Sequence, residues 1–500
     1  MMRFIESAIA CKALLREDDR MNNLFMGVDV GTQGIRCVAV DESGVVRAAA
    51  SVPFDVLNIA QTAGWMEQSP EAWTRAAEEC ISKCVSQIDH PECIAAISVD
   101  GTSGTIVPLD ENMRPLYNGV MYNDPRAREQ ASRVHQAMGD LEGRLGYHFG
   151  ASFSLPRILW FKEEMPEIYA KTRLFAHQAD YITGLLCGEY AVSDYSNALK
   201  TGYDLLNDRW PSEFGAKLGI DIAKLPRIVR PGAPIANVSK RASERLGLST
   251  RTLVTGGSSD GYASALAAGA TAPGRWASIL GTTFVLKGVT QKLTIDPSGA
   301  CYSHKLPDGW LLGGASNLGG RVLNQARGEA SFDEMNAKSE SLIPTGARCY
   351  PLTGRGERFP FVSADCEAFY RGDITGGRLY PAIMEGVGFA ERMIYDHMLH
   401  IGCAVGDEIC TAGGACRSDL WLRIRASILN RRLMVPDVVD AAMGGALLAA
   451  STYFGSLRAA SDQLIRYHKI AEPDPGLIAR YDDLYHQFLC DMRLIYGAEV

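Results

Sequence analysis

No apolar run in this chain approaches the roughly 18 uninterrupted residues that a bilayer-spanning helix needs. The most apolar early segment, FIESAIACKALL, is broken by Glu6 and Lys12 and does not read as a signal peptide. Positive charge is in short supply. Fifty Lys and Arg face 58 Asp and Glu, a formal net charge of −8, and the basic residues are scattered. Neither a phosphate-backbone footprint nor a polybasic membrane patch is expected, so nucleic acid and membrane are not expected partners. The densest basic group, Arg425, Arg431 and Arg432, reads as a solvated helix end. The 13 cysteines include no Cys-x-x-Cys pair. That argues against a disulfide framework and a thiolate zinc site, and fits a reducing cytoplasm. Cys80 and Cys84, four apart on a predicted helix, read as small buried side chains. His148 and His177 have no partner at ligand spacing and read as structural histidines. Two common nucleotide signatures are also missing, G-x-x-x-x-G-K-[ST] and a G-x-G-x-x-G between strand and helix. Any ATP site must use another scaffold.

What is present is enzyme-sized and globular. Five hundred residues, 47% hydrophobic and 22% charged, exceed one ordinary core, and two lobes with a cleft are the simplest expectation. LFMGVDVGTQGIRCVAVDESGVV, residues 24–46, reads as a strand, a Gly-Thr turn, a second strand and a turn into a third. RWASILGTTFVLKGVT, residues 275–290, repeats the strand–turn–strand scheme, so the chain reads as two related halves. Between these hairpins strands and helices alternate. Ser69 and Pro70 open a helix as N-cap and first residue. IAAISVDGTSGTIVPLD returns as strand, small-residue loop and strand, and the second half alternates in the same way. Such alternation predicts a layered α/β architecture. Residues 1–23 are set aside as an N-terminal extension. The polar LGLSTRT before LVTGG divides the remainder into 24–252 and 253–500.

Several short stretches could carry chemistry. In VTGGSSDGYASALAAG, residues 254–269, Gly257-Ser258-Ser259-Asp260-Gly261 reads in two ways. Ser259 fits an esterase elbow, Gly-x-Ser-x-Gly, while Asp260 on the same turn is a general base. Histidines follow Ser259 in the chain, but no His-Gly-Gly loop precedes it. Asp29-Val30-Gly31-Thr32 ends a buried strand. Glycine there lets backbone approach a phosphate, Thr32 supplies donors and Asp29 can hold Mg²⁺, although an ordinary hairpin turn explains the same residues. Gly281-Thr282-Thr283 repeats the device in the second half, as a nucleotide held between two lobes requires. Ala412-Gly413-Gly414-Ala415, between a strand and a helix, offers backbone amides to an anion or room for a flat base.

Taken together, GVDVGTQGIR, GWMEQSPEAW, DGTSGTIVPLD, YNDPRA, GGSSDGYASALAAG, SILGTTFVL, GGACRSDLWLRIRASILNRRLMVP and DAAMGGALLAA resemble the FGGY family of carbohydrate kinases over residues 24–460. The resemblance implies two ribonuclease-H-like, actin-like ATPase domains with an interdomain cleft, the first sugar-binding and the second nucleotide-binding. It implies ATP and Mg²⁺ as cofactors, a small sugar as substrate, and leaves a homodimer open. By position, Asp29 becomes the Mg²⁺ and phosphate-side carboxylate and Thr32 a contact to the transferred phosphate. Gly281 and Thr282 bind the other phosphates, Gly413, Gly414 and Arg417 lie beside the nucleoside, and Asp260 is the catalytic base. Ser103, Gly104, Tyr122 and Asp124 contact the sugar. Departures from the family pattern are Arg157 for a lysine, Asp440 for a glutamate and Asn430 for a helix-ending glycine. The Ser103-Gly104 loop lacks the Met-His pair of xylulose kinases and resembles that of D-ribulose kinases. The expected activity is therefore ATP-dependent phosphorylation of D-ribulose at its terminal hydroxyl, with D-xylulose or another pentulose or polyol as the alternative. A non-catalytic actin-like ATPase and a serine hydrolase are the rival classes.

Overall fold

Residues 23–497 are described by a computed structural model. The predicted extension, save for Asn23, lies outside the described residues. The apolar run Leu24–Val30 forms β1, buried along its whole length as a central strand covered on both faces must be. The expected meander follows, with β2 (Gly34–Asp41) and β3 (Val46–Pro53) each antiparallel to the strand before. β4 (Ile94–Gly101) runs parallel to β1, and β5 (Pro234–Asn237) and β6 (Leu253–Ser259) complete a six-stranded sheet of order β5-β6-β4-β1-β2-β3. The second sheet holds β7 (Trp276–Leu280), β8 (Phe284–Thr290), β9 (Cys301–Leu306), β10 (Gly309–Ser316), β11 (Glu408–Ala412), β12 (Arg432–Pro436) and β13 (Tyr467–Ala471). Its order is β9-β10-β8-β7-β11-β12-β13. In both sheets the first strand has an antiparallel hairpin partner on one side and a parallel strand on the other. The two halves are thus built on one scheme. A smaller four-stranded sheet, from Glu67–Gln68, Ile106–Leu109, Gly119–Val120 and Leu174–His177, extends the first half.

One boundary moves. β6, assigned from sequence to the second half, is the parallel neighbour of β4 in the first sheet. The passage from one sheet to the other therefore falls after α2 (Asp260–Ala267), not at residue 252. The polar LGLSTRT segment only joins a short helix to β6, and local composition carries no record of which sheet a strand enters.

Local chemistry explains the helices. In α1 (Pro70–Val85), Ser69 Oγ accepts the Ala72 N–H at 3.3 Å, and Trp73, Cys80 and Cys84 face the core. α3 (Leu379–His400) and α4 (Asp419–Leu429) cover the outer face of the second sheet. α4 is capped by Ser418 and ends on Asn430, which takes the left-handed conformation (φ 48°, ψ 47°) that asparagine tolerates in place of glycine. Trp160 and Trp421 are core residues.

Between the sheets lie α2 and α5 (Ala441–Phe454), whose alanines fill a core shared by both halves. The contact is made at backbone distance. A Cβ on Gly27 of β1 would stand 1.8 Å from the Ala442 carbonyl oxygen, and one on Gly444 would stand 2.0 Å from that of Ala263. The segment 195–205 of the first half is tied across the cleft by Lys200 Nζ to Tyr302 Oη (2.9 Å) and by Lys305 Nζ to the Leu205 carbonyl (2.6 Å).

Arg425 corrects the reading of a solvated basic group. It is fully buried on α4, where Nε and Nη2 bond the two Glu391 carboxylate oxygens of α3 at 2.6 and 2.8 Å. Helical periodicity turns it inward, whereas Arg431 and Arg432 lie beyond the helix end. Removing one partner of such a pair strands a buried charge, at a cost of about 3–5 kcal/mol. Glu391→Ala is expected to lower the urea midpoint accordingly, and Glu391→Leu combined with Arg425→Met to recover most of the loss.

Candidate active site

Strand register builds the centre of the cleft. Asp29, near the end of β1, pairs directly with Asp100 of β4, so two carboxylates stand side by side on one face of the sheet. Asp440 joins them as the N-cap of α5, its Oδ1 accepting the Ala442 N–H at 3.1 Å, and Asp260 as the first residue of α2. Arg36 is the cation among them, 3.5 Å from Asp29 Oδ2 and 3.4 Å from Asp440 Oδ2, but it is itself 58% exposed and screened by water. Apart from each other, Asp29 Oδ1 and the two Asp100 oxygens, all buried, find no hydrogen-bond partner among the described residues. Burial, then the charge of Asp440, pushes the Asp29 carboxyl up to about 6. Burial and Asp29 itself push Asp100 well above the ordinary carboxylate range. Two buried acids with unsatisfied oxygens fit a hard divalent cation, which is commonly held by one or two carboxylates plus water and phosphate oxygens. Asp100 escaped the sequence reading, although it ends an apolar strand just as Asp29 does.

Asp260 is also raised by burial, a shift opposed by the N–H groups of Gly261 and Ser103 and by the charge of Lys200. The Gly261 N–H lies 2.7 Å from Oδ1. The question posed by Ser259-Asp260 is answered by exposure. Ser259 is 1% exposed, its hydroxyl out of reach of any substrate carbonyl, while Asp260 borders the cleft.

Seven of the expected residues, Asp29, Thr32, Asp260, Gly281, Thr282, Gly414 and Arg417, line two cavities, together with residues that were not expected. Asp29, Thr32, Arg36, Asp260 and Asp440 line one of about 680 Å³. Gly281, Thr282, Gly414, Arg417 and Trp421 line another of about 830 Å³ within the second half. Asn336 Oδ1 and Tyr380 Oη, on residues lining that second cavity, are buried without partners, as donors and acceptors for a polar ligand would be. Gly413 stands apart from the lining. Its φ is 97°, and a Cβ there would come 2.4 Å from the Leu280 carbonyl oxygen, so it serves the close approach of two strand ends.

The acceptor loop is held from behind. Gly104 has φ +88°, and a Cβ on it would meet the Ser152 carbonyl at 2.3 Å. Arg157, fully buried, donates to the carbonyls of Phe153, Gly104, Tyr122 and Asp124 at 3.0, 3.1, 2.6 and 3.4 Å. Burial lowers it to about 9. A lysine in its place has no planar fork to reach these acceptors at once. Ser103 Oγ is buried without a partner among the described residues and Tyr122 is 37% exposed, and neither residue lines the two cavities. Asp124 differs from the expectation of a sugar contact. Its Oδ1 accepts the Arg126 N–H and Nε, its Oδ2 accepts Arg126 Nη2 and the Met66 N–H, and it is 1% exposed. Arg126 also bonds Glu67 at 2.7 Å and lies 3.8 Å over the Trp65 ring, so Trp65 anchors its loop.

Comparison with known proteins agrees with this architecture. Residues 24–267 match the N-terminal domain, and residues 276–453 the C-terminal domain, of the FGGY family of carbohydrate kinases. A xylulose kinase of Bacillus subtilis is 27% identical over 493 residues, covering 92% of this chain and 95% of the relative. A gluconokinase of Bacillus licheniformis is 25% identical over 478 residues, covering 90% and 92%. Among solved structures, xylulose kinase from Rhodospirillum rubrum superposes with a TM-score of 0.82 at 24% identity, covering 95% of this chain and 99% of that one. Gluconate kinase from Lactobacillus acidophilus gives 0.80 at 23%, covering 96% and 99%. The structures fix the two-domain ribonuclease-H-like, actin-like fold, and the domain matches fix the lineage. With both halves matched in order, the chain belongs to the FGGY family of carbohydrate kinases and is an ATP-dependent sugar kinase.

Proposed function

We propose that the enzyme transfers the γ-phosphate of ATP to the terminal hydroxyl of a pentulose, with Asp260 as general base. The observation that carries this reading is the shared cavity of Asp29, Thr32 and Asp260, which joins one member of a cation-suited acid pair to a carboxylate facing the cleft. ATP would lie with its nucleoside beside Gly414 and Arg417 and its phosphates along Gly281, Thr282 and Thr32. Asp29 and Asp100 would hold Mg²⁺, which supplies neutralisation of the phosphate charge.

Phosphoryl transfer passes through a loose transition state, so positioning and electrostatics carry most of the catalysis. Asp260, held by two N–H groups at the start of α2, accepts the hydroxyl proton late. Its raised pKa brings it nearer to the operating pH and makes it a better acceptor than an exposed aspartate. Closure of the halves would exclude water and limit wasteful hydrolysis.

D-ribulose is the acceptor favoured by the small Ser103-Gly104 loop, with Ser103 Oγ left for a sugar hydroxyl. D-xylulose is the second reading, supported by the relatives that carry the name xylulose kinase. A coupled ADP-release assay over D-ribulose, D-xylulose, gluconate and glycerol is expected to give its largest kcat/KM with a pentulose. ATP hydrolysis indifferent to every sugar would refute the kinase reading.

Asp260→Asn is expected to keep nucleotide affinity while kcat falls about 10²–10⁴-fold, the usual share of a general base. Retention of wild-type kcat would remove Asp260 from its role.

The acid pair also sets a pH dependence. Asp29 titrates at 3.8 ordinarily and about 6 in the folded protein. Its protonation therefore favours the fold below about 4, and this contribution is lost as pH rises through about 6. A bound cation needs the ionised form and offsets the loss. The rise in melting temperature on adding MgATP is expected to be larger above pH 6 than below it. An equal rise on both sides would separate the cation from Asp29.

A further inference from the structure

Away from the cleft, one cluster has the donor set of a different metal. The helix Arg128–Leu145 presents His135 and Glu142 two turns apart on one face, and Gly146, at φ 71°, turns the chain so that His148 returns to the same spot. The imidazole nitrogens and a carboxylate oxygen of these three residues lie within 4.8 Å of one another. Glu142 Oε2 is 2.5 Å from His135 Nδ1 and 3.3 Å from His148 Nδ1. The sequence reading left His148 without a partner because its partners lie 6 and 13 positions back, across a turn that spacing rules do not cover.

We propose that His135, Glu142 and His148 form a binding site for a divalent transition-metal ion of the zinc type. The burial pattern fits such a site. Glu142 is 2% exposed, while the histidine side chains are 56% and 75% exposed, so an ion has a path in and water can complete its shell. Glu142 Oε1 is fixed by the Phe149 N–H at 2.6 Å, leaving Oε2 to point at the imidazoles, the kind of outer support that ligating carboxylates have. Two imidazoles and a carboxylate suit zinc, cobalt, nickel or copper, in contrast to the all-oxygen acid pair in the cleft, which suits magnesium. Such an ion would pin the segment 146–153 to the helix end. That segment includes Ser152, whose carbonyl abuts Gly104 of the acceptor loop. The site is independent of which sugar is phosphorylated.

The test is titration of the chelator-stripped full chain with ZnCl₂ in magnesium-containing buffer, by calorimetry, with Co²⁺ absorption as a second reading. One ion per chain is expected to bind, with visible cobalt absorption stronger than that of the hydrated ion as it leaves octahedral water coordination. His135→Gln and His148→Gln, both at exposed positions, are each expected to weaken binding at least about tenfold, with ADP release in magnesium alone unchanged. No zinc binding by the wild-type chain, or equal affinity in the His135→Gln/His148→Gln double variant, would overturn the proposal. Circular dichroism of that variant establishes that lost binding is not lost folding.

Discussion

The backbone-close packing of α5 onto β1 is the constraint from which the site follows. Side chains larger than hydrogen at Gly27 and Gly444 would drive the helix off the sheet and off α2. With the helix seated, its N-cap Asp440 falls beside Asp29, and α2 is held with Asp260 at the same edge. The acids are therefore gathered by packing, not by attraction for one another. Their mutual repulsion is supported by a large alanine-rich interface, since each buried methylene contributes about 0.8 kcal/mol. In the free enzyme the cost is met by the raised pKa values of Asp29 and Asp100, and a bound cation would favour their ionised forms.

Much of the fold was legible because the relevant signals are local. The meander of residues 24–53, the Ser69–Pro70 helix start and the Asn430 helix end each depend on residues within a few positions. Ser259 against Asp260 was not decidable locally, since both sit on one turn and only burial separates them. Asp100 was missed because its importance comes from register with Asp29, a pairing about 70 positions apart that sequence spacing does not expose. Asp124 was placed against the sugar by motif, yet Arg126 and Met66 occupy all of its oxygens. Arg425 looked like surface charge for the complementary reason, because its partner Glu391 lies on another helix.

The acceptor loop shows how a departure from the family pattern can leave backbone geometry intact. Arg157 gathers carbonyls from three separate segments with one guanidinium, and no carboxylate touches it directly. Because it bonds main-chain oxygens, its hold on the loop does not depend on the side chains at positions 103 and 122.

The two lysine contacts that span the cleft have a consequence for turnover. Lys200 and Lys305 donate to a phenol and a main-chain carbonyl, neutral acceptors that water can replace at a net cost of about 1.5–3 kcal/mol each. Neither forms an ion pair there, and neither sheet depends on them. If product leaves by a parting of the halves, these two bonds would yield to water first, since the alanine core of α2 and α5 that also joins the halves is packed at backbone distance.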